Sequence, residues 1–485
     1  AEFLFPSAPS DLRSIAYPGG AVALTIILAA RLTSAYWGQI TDCDETYNYW
    51  EPMHYLVYGN GLQTWEYSPK YALRSYLPLW LFAVPAKILS LIMSPVSVFY
   101  TLRAILAVLT SCAELMFYKA VCHEFGVHVG RVWLALVLPA AGSFASTAAM
   151  LPSAWSSALV TAALACWWRR RYPSAILLVA ATSILSWPFT ALLGVPIALD
   201  MLVLKRQIFE FIKWSLIALV IFLVPTVIVD SWHYGRLVVT PWNIISYNIF
   251  TEHGPDLYGV EPWTYYFVNG FLNFNIVWVL SLSCPLLLAA CGAVARSTVR
   301  ASFCAPYWLS LMPLALWLLV FMAQPHKEER YDHVINDHMI NDHEGDYVIV
   351  CYGKEWYRSP SHFHLQNGRI RFVRSEFDGQ LPAPYDEQHN ATRIIPPHFN
   401  DMNKGDNRTL LKPSECHYLV DSDLGSPTKL EPSYHKDPAW EVINTVPILD
   451  AAKSHKIFRA FYVPLLSSKH LVYGNMFLLK NKALA

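Results

Sequence analysis

Apolar stretches long enough to cross a bilayer follow one another almost without interruption from Pro18 to Ala323, and after Gln324 they stop. Hydrocarbon offers no partner to a backbone amide, so the first part of such a chain must be helical. The polar remainder must fold outside the bilayer. The expected spans are 19–37, 98–118, 131–150, 154–168, 173–187, 190–204, 212–231, 263–290 and 305–323, about nine crossings. Two of them flank Pro188 and are short for roughly 30 Å of hydrocarbon, which reads as a broken or tilted pair. The early run AVALTIILAARL lacks the basic flank of a secretory signal and reads as a retained first span. Composition agrees: 54% of the residues are hydrophobic and only 15% charged, against about 25% charged in an ordinary soluble domain. The 36 basic and 36 acidic residues cancel, which gives no footing for nucleic acid as a partner. Nine Cys without CxxC spacing imply no zinc or redox framework.

Basic residues set the expected orientation. Lys119 with Arg131, the run Arg169 to Arg171, Lys205, Arg206 and Lys213, and Arg296 with Arg300 fall on alternate loops. Pro152, Trp187-Pro188, the loop 232–262 and Gln324 to Arg330 then share the opposite, lumenal or external face. The first loop joins them provided that Leu77 to Ser97 does not cross fully, as its three prolines and Lys87 suggest. The expected organisation is a membrane body over 1–330 with its first lumenal loop at 38–97, a polar connector at 331–345, and a lumenal mixed α/β domain over 346–485. The runs YVIVCYG, IRFV, CHYLVDS and HLVYGNMFLL supply its strands. Sequons at Asn390 and Asn407 mark candidate glycosylation sites on that side. Cys351 and Cys416, each in an expected strand, fit a disulfide or two buried thiols equally well.

Four carboxylates, Asp42, Asp44, Glu45 and Glu51, crowd the start of the first loop. Asp42 and Glu45 fit a helix cap at N-cap and N3. At helical spacing Asp44, Tyr47, Asn48 and Glu51 share one face, with Glu45 turned about 100° away from Asp44. Only one of the adjacent pair can then face a reacting centre, and Asp44 has the better-furnished face. QPHKEER, Gln324 to Arg330, reads either as a polar stop after the last span or as a phosphate clamp of His326, Lys327 and Arg330. TEHGPDLYGVEPW offers His253 and Asp256 in a loop structured by Gly and Pro. MLPSAWSS and SWPFTALLG mark lumenal span ends that line a cavity or simply break helices. Glu114, inside a span, needs a partner, with Arg103 and Lys119 as candidates. The tandem repeat HVINDHMINDH, 333–343, has metal-like His/Asp spacing, but a short duplicated filler in a connector is the favoured reading.

DCDETYNYWEP, TWEYSPKYALRSY, HGPDLYGVEPW, NGFLNFN, QPHKEER, GKEWYRSP, SEFDGQLP and CHYLVD together resemble glycosyltransferase family 22, the dolichyl-phosphate-mannose-dependent α-1,2-mannosyltransferases of lipid-linked oligosaccharide assembly. The resemblance implies a mainly α, polytopic GT-C fold in the endoplasmic reticulum membrane. Its substrates would be dolichyl-phosphate mannose as donor and the dolichyl-diphosphate-linked oligosaccharide precursor of protein N-glycosylation as acceptor. Membrane lipid surrounds such an enzyme, while protein partners are left unspecified. The family's acidic pair in the first lumenal loop matches Asp44 and Glu45, taken as catalytic. His326, Lys327, Arg330, His253, Asp256, Glu51 and Arg74 form the expected donor-phosphate and substrate-binding set.

Inversion of a β-linked mannosyl phosphate to an α-linkage asks for one general base on the acceptor hydroxyl. The phosphate leaves with cationic help and no general acid. That scheme expects no metal and no cofactor. The departure from the family lies after Arg330, where polar residues 331–350 stand in place of further apolar helices. An inactive shortened form is one rival reading. A transporter or lipid-moving protein is the other, although transporters gather ionisable groups at mid-membrane and this chain keeps most of its own in loops on one face.

Overall fold

The computed structural model describes residues 18–484, apart from 41, 252–256, 258–259, 295–306, 324–346, 366, 389, 462 and 464. Among the described residues, three helices are long and apolar enough to cross a membrane: Gly20–Trp37, Pro95–Phe125 and Ile208–Tyr234. The first two pack on each other through a buried ion pair, Arg31 Nη2 to Glu114 Oε1 at 2.7 Å and Nε to Oε2 at 3.0 Å. Glu114 therefore finds its partner on the facing helix. Arg103, expected to serve it, instead donates to the carbonyl of Gly38 at 2.6 Å.

The other expected spans are shorter or broken, and the causes are local. Pro139 ends the helix Val127–Val137, and the chain resumes as the short helix Ala141–Ser146, so 131–150 is not one rod. A side chain at Gly142 would meet Phe274 at 2.9 Å, so its absence lets these helices touch. The expected span 263–290 is two helices, Tyr265–Phe274 and Ile276–Val294, bent by 117° at Asn275, which turns the chain with a positive φ of 51°. Beyond Pro188 a 3₁₀ segment, Pro188–Gly194, separates the helix Tyr172–Leu185 from Val195–Leu199, as the proline implied. The helix Leu77–Leu89 has 13 residues, about 20 Å, too short to cross.

Two ends of this bundle are distinct. At one, Trp167 Nε1, Tyr172 OH and Lys205 Nζ all donate to Asp200 at 2.9 Å, which brings together the loops carrying Arg169 to Arg171 and Arg206. At the other, Ser186 Oγ donates to the Pro152 carbonyl at 2.6 Å. Two of the basic loops, those carrying Arg169 to Arg171 and Lys205 with Arg206, thus share one end of the bundle.

The remainder is built on strands β1 (Leu62–Gln63), β2 (Val348–Tyr352), β3 (Gly368–Val373), β4 (Ala383–Pro384), β5 (Leu410–Leu411), β6 (Tyr418–Ser422), β7 (Trp440–Leu449) and β8 (Tyr473–Asn481). Six form one sheet in the order β5-β3-β2-β6-β8-β7, parallel from β5 to β6 and antiparallel thereafter. All four strands expected from sequence are present. Strand β7 is not among the four expected strands; it lies at the sheet edge, where the missing N–H of Pro447 is tolerated. β1 belongs to the first loop and pairs with β4, so the loop and the C-terminal region share backbone hydrogen bonds.

Cys351 and Cys416 form a disulfide under the sheet, Cα atoms 5.9 Å apart and closing a 65-residue separation. It resolves the two readings of these residues. Cross-linking a loop of that length stabilises by about 4 kcal/mol in the chain-entropy picture. Cys351→Ser is expected to lower the thermal midpoint of the C-terminal region, and reductant should lower it in wild type but not in the variant. Equal sensitivity of both to reductant would refute the assignment.

Candidate active site

The first loop begins with Asp42 as a helix cap, its Oδ1 accepting from the Asp44 amide at 2.8 Å. After one α-turn, Cys43–Glu45, the chain widens into a π-helical stretch, Thr46–Trp50, before returning to α-helix at Glu51–Tyr58. A π-turn brings residues five apart onto one side. Trp50 Nε1 accordingly donates to Glu45 Oε1 at 2.9 Å, and the charge of Asp44 acts on Tyr49.

The face expected from ordinary helical spacing is therefore split three ways. Asp44 goes with Tyr49. Asn48 accepts from Thr64 Oγ1 at 2.6 Å. Tyr47 and Glu51 turn to the C-terminal region, where Tyr47 OH donates to the Trp356 carbonyl at 2.5 Å.

Glu51, expected to bind substrate, is fully buried and its oxygens are taken by protein donors. Oε1 accepts from Ser361 Oγ at 2.9 Å and the His362 amide at 2.8 Å. Oε2 accepts from the Leu62 amide at 3.0 Å and contacts His362 Nδ1. Burial opposes its charge, but His362 outweighs that and holds its pKa below the usual carboxylate value. Glu45, expected beside Asp44 as a second catalytic group, is also enclosed. Its Oε1 accepts from the Met150 amide at 2.9 Å as well as from Trp50, and burial pushes its pKa up despite the charge of Arg103. Both residues position the loop. Asp44 alone of the pair is partly exposed.

Arg74 reaches the same place from the far end of the loop. Nη1 donates to Tyr49 OH at 2.8 Å and Nη2 to Glu66 Oε1 at 2.9 Å, while the rings of Tyr49 and Trp187 each lie 5.8 Å from the guanidinium. Burial works against its charge, yet Glu66, Tyr49 and Asp44 hold its pKa above the ordinary value. Arg74 and Tyr49 line a cleft, open at its mouth, whose other walls include Pro152, Trp155, Ser186, Pro188 and Thr240. The two span ends singled out in the sequence thus do line a cavity. Arg74 Nε and Trp155 Nε1 are buried there without a hydrogen-bond partner among the described residues. Both are donors, so the cleft suits a ligand that brings acceptor oxygens.

Sequence reasoning missed Tyr49, Glu66 and Trp155 individually. The signal for Tyr49 was its five-residue distance from Asp44, which only a π-turn makes meaningful. Asp42, Cys43 and Asp44 also bring three atoms capable of metal ligation within 4.8 Å of one another. His253, Asp256, His326, Lys327, Arg330 and the repeat 333–343 lie outside the described residues. Asn390 and Asn407 are both exposed.

The sequence profile of the Alg9-like mannosyltransferase family matches residues 22–336. Alpha-1,2-mannosyltransferase ALG9 of Mus musculus is 41% identical over 557 residues, covering 98% of this chain and 91% of that protein. The Homo sapiens counterpart is 41% identical over 543 residues, 96% of this chain and 89% of its own length. Alpha-1,2-mannosyltransferase Alg9 of Drosophila melanogaster is 39% identical over 547 residues, with shares of 96% and 88%. Each alignment is longer than the 485-residue chain, so the relatives carry residues that this chain lacks. No solved structure matches.

The loop should respond to acid. His54 is buried in it with Nδ1 2.7 Å from the Asn60 carbonyl; burial and then the charge of His362 depress its pKa to about 4. A histidine kept neutral in this way contributes stability that is complete above its unfolded pKa of 6.5 and is lost as pH falls from 6.5 toward 4. The loss is about 3 kcal/mol. Glu51, with its lowered pKa, adds a further loss below pH 4.5. Thermal unfolding between pH 7 and 4 should therefore show falling stability in wild type and a flatter profile in His54→Gln; parallel profiles would contradict this account.

Proposed function

Because the chain belongs to the Alg9-like mannosyltransferase family, we propose that it transfers mannose in α-1,2 linkage from dolichyl-phosphate mannose to the dolichyl-diphosphate-linked oligosaccharide precursor of protein N-glycosylation. The observation that carries this reading is the pairing of a partly exposed Asp44, whose charge acts on Arg74, with Arg74 itself in the wall of a cleft beside the ends of apolar helices. Asp44 takes the proton of the attacking acceptor hydroxyl as the bond to the anomeric carbon forms on the face opposite the phosphate. Arg74, fixed between Tyr49 and Glu66, meets the negative charge that develops on the departing dolichyl phosphate. His326, Lys327 and Arg330 complete the cationic side of the site, and His253 with Asp256 contacts substrate from the neighbouring loop. The membrane is that of the endoplasmic reticulum, with the site and the C-terminal region on the lumenal side. The Cys351–Cys416 disulfide, which belongs to an oxidising compartment, and the exposed sequon residues Asn390 and Asn407 support that placement. Transfer requires no metal.

The test supplies purified protein with radiolabelled dolichyl-phosphate mannose and the acceptor glycolipid. Asp44→Asn is expected to lower kcat by about 10²- to 10⁴-fold with little change in donor KM; equal rates would remove Asp44 from the mechanism. Transfer by neither protein would instead favour the shortened chain being inactive. Arg74→Ala should reduce kcat/KM by about 10²-fold or more, and unchanged kinetics would exclude it from the phosphate site. Chelator should leave the wild-type rate unchanged. Loss of activity restored by a divalent cation would turn attention to Asp42, Cys43 and Asp44 as ligands.

A further inference from the structure

Three aromatic rings gather beside the cleft without joining the core. Trp65 and Tyr71 come from the first loop and Tyr247 from the helix Thr240–Phe250; the Trp65 ring lies 5.1 Å from that of Tyr71 and 5.5 Å from that of Tyr247. All three are partly exposed, and none belongs to the apolar clusters formed by the described residues. Their supports lead to the cleft. Glu66, next to Trp65, accepts from Arg74, and Ile244, three residues before Tyr247 and on the same helix face, lines the cleft wall. The group is held firmly: the Leu73 amide donates to the Glu66 carbonyl at 2.9 Å and Asn243 Nδ2 to the Ala72 carbonyl at 3.0 Å, which fixes the turn carrying Tyr71 to the helix carrying Tyr247. Asp401 joins from the C-terminal region, its Oδ1 accepting from Tyr71 OH at 3.3 Å.

Burial, and then the charges of Asp401 and Glu66, push the Tyr247 hydroxyl up to about 12, so it stays neutral and can donate or accept. Its oxygen is buried without a hydrogen-bond partner among the described residues. A polar atom left unmatched costs free energy, and a ligand hydroxyl at this place would remove that cost. Aromatic rings, a neutral hydroxyl, and a carboxylate that accepts from hydroxyl donors but repels phosphate suit a neutral sugar, whose ring offers C–H bonds on its faces and hydroxyls at its rim. An isoprenoid chain would leave the hydroxyl and the carboxylate unused. The rings stand about 5 Å, one helical turn, beyond the cleft wall, where the second sugar of a chain would fall if its first sat in the cleft. Taking the transfer reaction proposed above as its basis, we propose that Trp65, Tyr247 and Asp401 bind the acceptor oligosaccharide at the sugar next to the one that receives mannose. That sugar lays a face against Trp65 and bonds through its hydroxyls to Tyr247 OH and the Asp401 carboxylate. These residues position the acceptor and take no part in the proton transfer.

The test uses the full chain with two acceptors, the dolichyl-diphosphate-linked oligosaccharide and a synthetic lipid-linked acceptor carrying the receiving mannose alone. Equilibrium binding is measured without donor, and acceptor KM with it. Trp65→Leu is expected to weaken binding of the long acceptor and raise its KM about tenfold, with donor KM unchanged. Tyr247→Phe, which keeps the ring and removes only the hydroxyl, should do the same about fivefold. Neither variant should alter binding of the short acceptor, so the wild-type preference for the long one shrinks by the same factors. Unchanged long-acceptor binding and KM in both variants, equal losses for both acceptors, or no binding of the long acceptor by wild type would each overturn the proposal. Binding that depends on Trp65 and Tyr247 in a protein that transfers no mannose would uphold this acceptor site and count against the transfer reading. Normal transfer with an unaltered acceptor KM in the variants would do the reverse.

Discussion

The carboxylate of Glu51 is the contact on which the arrangement of the site depends. A buried carboxylate without partners costs several kcal/mol, and here four contacts remove that cost. One donor comes from its own loop. The rest come from Ser361 and His362, far along the chain. Packing follows the same seam: the Trp50 ring lies edge-on to Phe363 at 5.6 Å, and Tyr47, Leu62, Ile370 and Phe372 form one apolar cluster. The first loop is therefore a layer between the span ends and the C-terminal sheet region. Neither neighbour alone would hold it.

Seen from that layer, the π-helical stretch Thr46–Trp50 has a clear consequence. All five of its residues are buried, so the extra residue per turn is locked in by packing on every side. It sends Glu45 and Trp50 inward to the turn at Met150 and leaves Asp44 and Tyr49 toward Arg74. A regular α-helix would have aimed Asp44 along the side that Glu51 occupies. The division of labour among four neighbouring carboxylates is thus made by backbone geometry: Asp42 caps, Glu45 and Glu51 tether, and Asp44 stays partly exposed with its charge acting on Arg74.

Asp230 gives the cleft wall similar rigidity from the membrane side. It accepts from Ser75 Oγ at 3.0 Å, the Tyr76 amide at 2.8 Å and Thr240 Oγ1 at 2.5 Å, joining the end of a membrane-crossing helix to the loop just after Arg74. The hydroxyls around the cleft are in this way committed to the scaffold. Arg74 Nε and Trp155 Nε1 remain as donors for a ligand.

Much of this was legible in the residues alone. Long apolar runs announced a membrane body, Asp42 announced a cap, Pro188 a break, and alternating apolar residues four strands, because each of these rests on local stereochemistry or on a simple periodicity. Family resemblance rested on long ordered motifs and led to the same class of enzyme that the family comparison supports. Tertiary structure decided what depends on contacts between distant segments. Arg31 rather than Arg103 or Lys119 answers Glu114, Cys351 meets Cys416, and Glu51 serves the fold. A sequence lists the charges that must be satisfied, but the partner of a buried charge is chosen by which segments pack together, and no local pattern records that.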